Sequence, residues 1–481
     1  MSIHAAEGQI EARDPRTGRG DYAWTPTDPA ALADVVTQAR AAQPGWAALG
    51  LEGRIAVLER WRDAIAAAQP ALIAAVSADT GRLAESLREA GNMGRWIDRW
   101  AAAARLALAE TEGPADHLIP GFRHAGQFEP LGVVGIISPW NFPMSLSVMD
   151  AIPALLAGCA VIIKPSEVTP RFVEPLAATF ADIPELSGVL TYVRGAGDLG
   201  AALVDQADGI VFTGSTATGR KVAQQAAARL VPCFVELGGK DAAVVLEGAD
   251  LEAAARAIVT GATLGAGQQC YSTERIYVEA GIHDAFLELL VAKAQALRLA
   301  WPEPGDGQIG PLIHAPQAEI IARHLDDARS RGATIHCGGE IETHGGGLWV
   351  RPTVLSGVDH SMTVMREETF GPLLPVMAFT TEDELAGLMN DTDYGLSGAV
   401  FGPEDRALRV AGQMRAGGIC INDAGATPFF IGDPGVCGSD AFGCSGLGGT
   451  RHGPDSILRF VRRKLLLINR AKGRSAWWYD V

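Results

Sequence analysis

The sequence predicts an α/β chain of two domains, each built on a largely parallel sheet, with a β-strand extension. Three observations carry this. From residue 131 short apolar strands alternate with helical segments, the pattern of βαβ units whose sheet is covered on both faces. A second alternating series begins after residue 250. Near the end, "SILRFVRRKLLLINR" runs a helix end into a long strand that can leave its own domain and pair elsewhere.

The elements follow in order. Residues 29–110 are rich in Ala, Leu and Arg, with apolar residues at three- and four-residue spacing, and read as helices. "LIPGFRHAGQFEPLG" alternates and is punctuated by Gly and Pro, which predicts an extended hairpin near 115–131. The first series places strands at "GVVGIIS", "CAVIIKPS", "GVLTYVRG", "GIVFTG" and "PCFVELGG". Its helices are "MDAIPALLAG", "PRFVEPLAATFAD", "DLGAALVDQ" and "STATGRKVAQQAAARL". The second series places helices at 251–265, 282–298, 315–331, 382–390 and 404–415. Its strands are expected at 274–279, 333–337, 351–355, 373–379, 397–401 and 418–422.

Composition narrows the function. A chain of 481 residues is too long for one ordinary core. The net charge of −16 disfavours binding to nucleic-acid phosphates. The longest apolar runs, such as "LGVVGII", are too short to span a bilayer, and "MSIHAAEGQIEARDP" lacks the pattern of a signal peptide. Seven cysteines, at 159, 233, 270, 337, 420, 437 and 444, are scattered without a disulfide framework, which fits a reducing cytoplasm. No Cys or His spacing supports a metal site.

Six stretches carry candidate chemistry. In "FTGSTATGR" a strand ends and a helix begins at Gly214 and Ser215, where free N–H groups can face an anion or Ser215 can serve as an ordinary cap. In "IIKPSEVTP", Lys164 and Glu167 stand at the end of a buried strand, where open parallel sheets bind ligands and the pair can hold ribose hydroxyls; taken alone the stretch reads as a solvated loop. In "SPWNFP" two prolines stiffen Trp140 and Asn141, and a fixed amide is a good oxyanion donor or simply a turn residue. In "VELGGK", Glu236 lies on an apolar strand, where burial raises a carboxylate toward the range of a general base, or it is simply a salt-bridged glutamate at the strand end. In "GAGQQCYSTERIYVE", Cys270 sits among small and polar residues at a turn, either a nucleophile or a buried free thiol. In "EETFGP", Glu368 can hold sugar hydroxyls and Phe370 can brace a flat ring, or the stretch is an acidic surface turn.

Taken in order, "PWNFP", "KPSEVTP", "FTGSTATG", "VELGGK", "GQQC" and "EETFGP" resemble the NAD(P)-dependent aldehyde dehydrogenase superfamily, from about residue 20 to about residue 468. The resemblance implies that Cys270 attacks the aldehyde to form a thiohemiacetal, with Asn141 and the Cys270 backbone N–H as the oxyanion hole. It implies that Glu236 activates the water that hydrolyses the resulting thioester; the branch that forms coenzyme A thioesters generally lacks this glutamate. Adenosine-ribose contacts fall on Lys164 and Glu167, the pyrophosphate contact on Ser215 beside Gly214, and the nicotinamide-ribose contact on Glu368 beside Phe370. Backbone at Ile137 and Trp140 lines the cofactor cleft. Glu167 beside the ribose favours NAD over NADP, because it repels a 2′-phosphate.

The implied fold is a Rossmann-like cofactor domain (1–114 and 132–240), a catalytic domain (241–440), and an oligomerisation hairpin, strand and tail (115–131 and 455–481). The chain is expected to form a homodimer or homotetramer, through the hairpin and a strand near 459–470. An apolar substrate tunnel is expected from Met144, Leu146, Met149 and Tyr271, with Phe429 and Phe430 as further aromatics. No arginine is evident among these positions to hold a substrate carboxylate, so an aromatic or medium-chain aliphatic aldehyde is the expected substrate. The main departure from the family pattern is "AFGCSGLGGTRHGP", where Thr450 and Arg451 stand in place of Arg-Glu. Trp477, Trp478 and Tyr479 are too apolar for a free tail and are expected to pack on the same chain or on a neighbour.

Overall fold

The computed structural model describes residues 8–109, 111–114 and 121–470. An antiparallel hairpin, Ile10–Arg13 with Gly20–Trp24, leads into three long helices, Pro29–Ala48, Gly50–Thr80 and Leu83–Ala107. The second ends at Gly81, whose left-handed conformation (φ 67°) closes the last turn.

The first sheet has six strands. Five are parallel, in the order Cys233–Glu236, Gly209–Thr213, Val133–Ile137, Ala160–Lys164, Leu190–Tyr192. The sixth, Gly446–Leu447, pairs antiparallel with Cys233–Glu236 and brings the end of the chain to the first sheet. The three central strands are buried throughout, as a sheet covered on both faces requires. The 3₁₀ segment Pro454–Phe460 adds Ile457 and Phe460 to the same core.

The second sheet has seven strands and divides two further cores, one on each face. Its order is Thr334–Cys337, Thr353–Ser356, Leu373–Phe379, Thr273–Glu279, Asp241–Val245, Ser397–Phe401, Gly418–Ile421; only the first pair is antiparallel. A third sheet joins Val461–Asn469 to Phe122–Pro130 and then Thr111–Pro114. The expected hairpin thus exists where it is described; the rest of 115–131 and the aromatic tail lie outside the described residues.

Several elements differ from expectation. Asp241–Val245 is a central strand that the alternation rule misses, because only four residues and no helix separate it from the last parallel strand of the other sheet. Ile341–His344 and Gly347–Val350 form a hairpin around Gly345 and Gly346, both at positive φ. The helix expected over 149–158 is two short ones, Pro143–Val148 and Ala151–Leu156, broken at Met149 and Asp150. Among the described residues no helix is long and apolar enough to cross a membrane.

Candidate active site

The helix Leu251–Thr263 runs into a turn in which Gly265, Ala266 and Gly267 all adopt left-handed conformations (φ 61°, 57° and 72°). For Ala266 this costs about 1–2 kcal/mol, so the surroundings must impose it. They do so largely through two glutamines. The buried Gln268 donates from Nε2 to the carbonyls of Gly265 (3.0 Å) and Pro311 (3.1 Å), while its Oε1 accepts from Ile313 N–H (2.9 Å). Gln269 donates to Gly261 O at 3.0 Å. Both glutamines stand in the motif, but two of the partners of Gln268, Pro311 and Ile313, are distant in sequence, so its role as a fastener was not legible.

Cys270 emerges from this turn at the meeting of two cavities. Burial pushes its thiol up to about 12, against the pull of Arg451; Asp241, Glu236 and Glu368 push it further. The resting nucleophile is therefore a neutral thiol, and attack requires a proton acceptor. The side chain of Asn141 donates from Nδ2 to Gln268 O at 3.0 Å, leaving its second amide hydrogen available. Among the described residues nothing accepts from the backbone N–H of Cys270. Arg82, fully buried, donates to Asn141 O and to Gly265 O (3.2 Å) and lies over the Phe142 ring at 4.9 Å. One side chain thus fixes both the asparagine and the nucleophile turn.

The glycines of "VELGGK" explain themselves by contact. A Cβ on Gly238 would sit 2.3 Å from the Glu368 carboxylate, and one on Gly239 would sit 2.8 Å from Cys270 O. Glu236, the last residue of its strand, is buried and lines the cleft beside Cys270. Burial raises its carboxyl; Arg451 and Arg459 oppose this, while Asp150 and Asp440 reinforce it.

The cleft of about 940 Å³ is lined by Trp140, Thr213, Gly214, Ser215, Glu236, Cys270, Glu368 and Phe370, among others. Ser215 caps the thirteen-residue helix Thr216–Ala228, accepting from Thr218 N–H, and this helix start opens on the cleft. Trp140 packs against Phe370 edge-on (5.5 Å) and against His314 (5.7 Å). Phe370 is held at φ 51° by Glu274, which accepts from Thr369 N–H (2.7 Å) and Phe370 N–H (2.8 Å). Glu274 is itself paired with the buried Lys240 at 2.7 Å. Glu368 accepts from Gly239 N–H at 3.1 Å, and burial, with Glu274, pushes its carboxyl up to about 8. Ile137 and Lys164 end neighbouring strands and Glu167 follows the second of them; none of the three is in the lining of this cleft. The Lys164 ammonium donates to Pro165 O (3.0 Å), Gly195 O (2.7 Å) and Glu167 Oε2 (3.2 Å). A helix start, an aromatic wall and the Glu368 carboxyl in one cleft suit a dinucleotide.

The second cavity, a tunnel of about 840 Å³, ends on the other side of Cys270. Leu146, Met149, Tyr271 and Phe429 line it as expected. Met144 does not; it turns into the first core, on the opposite face of the short helix from Leu146 and Met149. Phe430 is exposed and outside the lining. Trp96, Phe142, Leu264 and Ile431 complete an apolar wall that sequence reasoning missed, since it is gathered from four separate segments. The expectation of a tunnel without arginine is also corrected: Arg88 lines it and is itself exposed, and Arg451 lines it from behind.

Arg451 is buried. It grips Asp150 with Nε (3.2 Å) and Nη2 (2.6 Å), and Nη2 also donates to Thr213 Oγ1 at 2.5 Å. Arg459 donates to the same Asp150 at 2.9 Å. Burial alone would raise the Asp150 carboxyl, but the two guanidiniums outweigh it and hold it below the usual range.

Comparison with known proteins agrees with this geometry. Residues 3–464 match the model of the aldehyde dehydrogenase family. A solved structure from Anabaena variabilis, named as a putative aldehyde dehydrogenase, is similar at 48% identity and a TM-score of 0.95, covering 98% of this chain and 100% of that one. Betaine aldehyde dehydrogenase of Staphylococcus aureus, solved with NAD+, is similar at 28% identity and a TM-score of 0.91, covering 99% and 95%. A Mycolicibacterium smegmatis protein, named as a putative NADP+ succinate-semialdehyde dehydrogenase, is 36% identical over 91% of this chain and 84% of its own length. The chain belongs to the aldehyde dehydrogenase family and is an oxidoreductase that uses a nicotinamide dinucleotide to oxidise an aldehyde.

Proposed function

We propose that the protein oxidises an apolar aldehyde to the free carboxylic acid with NAD, through a covalent intermediate on Cys270. The observation that carries this reading is the meeting of the two cavities at Cys270, with Asn141 beside it and Glu236 on the cleft side. As the Cys270 sulfur bonds to the aldehyde carbon, its proton passes to Glu236 directly or through water. The carbonyl oxygen becomes an oxyanion between the free amide hydrogen of Asn141 and the backbone N–H of Cys270. Bound NAD supplies the hydride acceptor. Collapse of the oxyanion leaves a thioester on Cys270. Glu236 then takes a proton from water as that water attacks the acyl carbon, and the sulfur leaves and is reprotonated. Burial raises the Glu236 carboxyl, which favours its accepting the thiol proton; that proton is released to solvent before the water attacks.

The Glu236→Gln variant tests the scheme. It is expected to keep the stoichiometric amplitude of the NADH burst while forming it more slowly, and to lose steady-state turnover by about 10²–10⁴-fold. Unchanged turnover refutes hydrolysis through Glu236, and turnover that depends on added coenzyme A favours acyl transfer.

The apolar wall of Trp96, Phe142, Leu146, Met149, Tyr271 and Ile431 supports an aromatic or medium-chain aliphatic substrate. A second reading, a semialdehyde with a free carboxylate, draws on Arg88 in the lining and on the name of the Mycolicibacterium relative. A kcat/KM for hexanal or benzaldehyde well above that for succinic semialdehyde decides for the first, and the reverse order decides for the second. The half-exposed Glu167 supports NAD, and a Glu167→Gln variant is expected to gain activity with NADP. The three-stranded sheet, with Leu465, Leu466, Leu467 and Ile468 exposed on its edge strand, is the proposed contact between subunits of a homodimer or homotetramer.

A further inference from the structure

The Arg451 cluster is not used by the scheme above, yet it lies directly behind it. Among the described residues, Asp150 is the only carboxylate paired with Arg451 or Arg459. Two guanidiniums facing one carboxylate leave one positive charge over. The titratable and charged groups around Glu236 are Arg451, Arg459, Asp150, Asp440, Cys270 and Tyr271. Of these only the two arginines are positive. Arg451 is also the better placed: it is tied to Thr213, the residue whose strand pairs it with Glu236, and it lines the tunnel beside Cys270.

We propose that Arg451 is the positioning residue of the hydrolytic base. Clamped by Asp150 and Thr213, its guanidinium holds the Glu236 carboxylate in the ionised form that can take a proton from water. Among the buried groups the charges balance when Glu236 is ionised, because the unmatched positive charge of the Asp150, Arg451 and Arg459 group meets it; Asp440 is exposed, and solvent screens its charge. Sulfur benefits in the same direction, since Arg451 also favours the thiolate of Cys270. Asp150, at the break between the two short helices, anchors the clamp.

This inference rests on Glu236 acting as the base, so the experiment carries its own control. Hydrolysis of the acyl-enzyme is followed after the NADH burst, with hexanal, between about pH 5 and 9 in wild type, R451K, R451Q, D150N and E236Q. In R451Q the acid limb is expected to move to higher pH, slowing hydrolysis at the acid end by about tenfold per unit moved. R451K keeps the charge and is expected to restore the wild-type limb. D150N removes the opposing charge and is expected to move the limb the other way. A merely structural role gives losses of rate without opposite displacements. An unmoved limb in R451Q, or displacement of R451Q and D150N in the same direction, overturns the proposal. If circular dichroism shows that R451Q and D150N do not fold, R451K decides: a displaced limb overturns the proposal and an unmoved one supports it. Full turnover in E236Q instead overturns the assignment of the base, independently of Arg451.

Discussion

Glu274→Gln tests how the fold holds the cofactor cleft open. In the native chain Glu274 and Lys240 are both buried, 2.7 Å apart, and Lys240 also donates to Thr369 Oγ1 at 3.1 Å. The two Glu274 oxygens accept the N–H groups of Thr369 and Phe370, which keeps Phe370 in its left-handed conformation against Trp140. Glutamine retains one acceptor and loses the charge. An ammonium is then left buried without its partner, a change that costs about 3–5 kcal/mol. At about 2–4 °C per kcal/mol, the melting transition is expected to fall by roughly 6–20 °C. Lys240 is already held below its ordinary range by burial, with Glu274 opposing. Removing that opposition lowers it further. The unfolded chain then binds more protons than the folded one over a wider window below the ordinary lysine value, so the defect is largest at low pH and shrinks as pH rises. The assay is thermal denaturation across pH, paired with KM for NAD. The double variant Lys240→Met with Glu274→Gln removes both charges and is expected to recover most of the stability while KM for NAD stays raised. A single variant that melts within about a degree of wild type refutes the reasoning, because that is far below the cost of an orphaned charge.

Three further outcomes follow from the same contacts. Burial pushes the Asp241 carboxyl up to about 8, so folded Asp241 keeps a proton that the unfolded chain has lost above about pH 4. It therefore lowers stability progressively as pH rises from about 4 to 8, and Asp241→Asn, which can still bond to Ser397, is expected to flatten that slope in denaturation curves. Gly267→Ala places a methyl 2.4 Å from the Gly371 backbone at a position with φ 72°; loss of activity by more than about 100-fold is expected while the protein remains folded, and near-normal kcat refutes the tight docking of the nucleophile turn. Leu465→Glu with Leu467→Glu is expected to reduce the mass seen by light scattering without changing the near-ultraviolet spectrum, and an unchanged mass moves the subunit contact elsewhere.

The fold was legible where local rules suffice. The parallel strands read as continuous apolar runs because both of their faces are covered, and the helices between them declare their own periodicity. Asp241–Val245 and Gly446–Leu447 escaped for the same reason: each takes its place from a partner strand distant in sequence or order, not from its own pattern. The site shows the same division. Cys270, Asn141 and Glu236 sit in motifs whose residue types already suggest their chemistry. Met144 was misplaced because an apolar residue on a short buried helix does not say which side of it is hollow. Arg451 was visible only as a departure from a pattern, since a buried cation has meaning only once its carboxylate is known, and Asp150 lies 301 positions away.

The residues that sequence reasoning passed over share one property. Arg82, Gln268, Glu274 and Arg451 each spend a polar side chain on backbone or on another side chain within the fold, at positions buried from water. Buried groups of this kind are expensive unless satisfied, so a chain that retains them must gain something for which apolar packing cannot substitute. Here the gain is angular. The left-handed turn before Cys270 and the left-handed Phe370 occupy conformations that the local chain does not favour, and these and Asn141 are each held by one of these groups. Apolar contacts could fill the same volume but would let the amide, the thiol and the ring relax apart by fractions of an ångström. Covalent catalysis between two cavities tolerates little of that, because the thiol must meet a substrate arriving from one side and a cofactor from the other. The cost in stability of the buried charges is therefore the source of the precision with which both cavities converge on one sulfur.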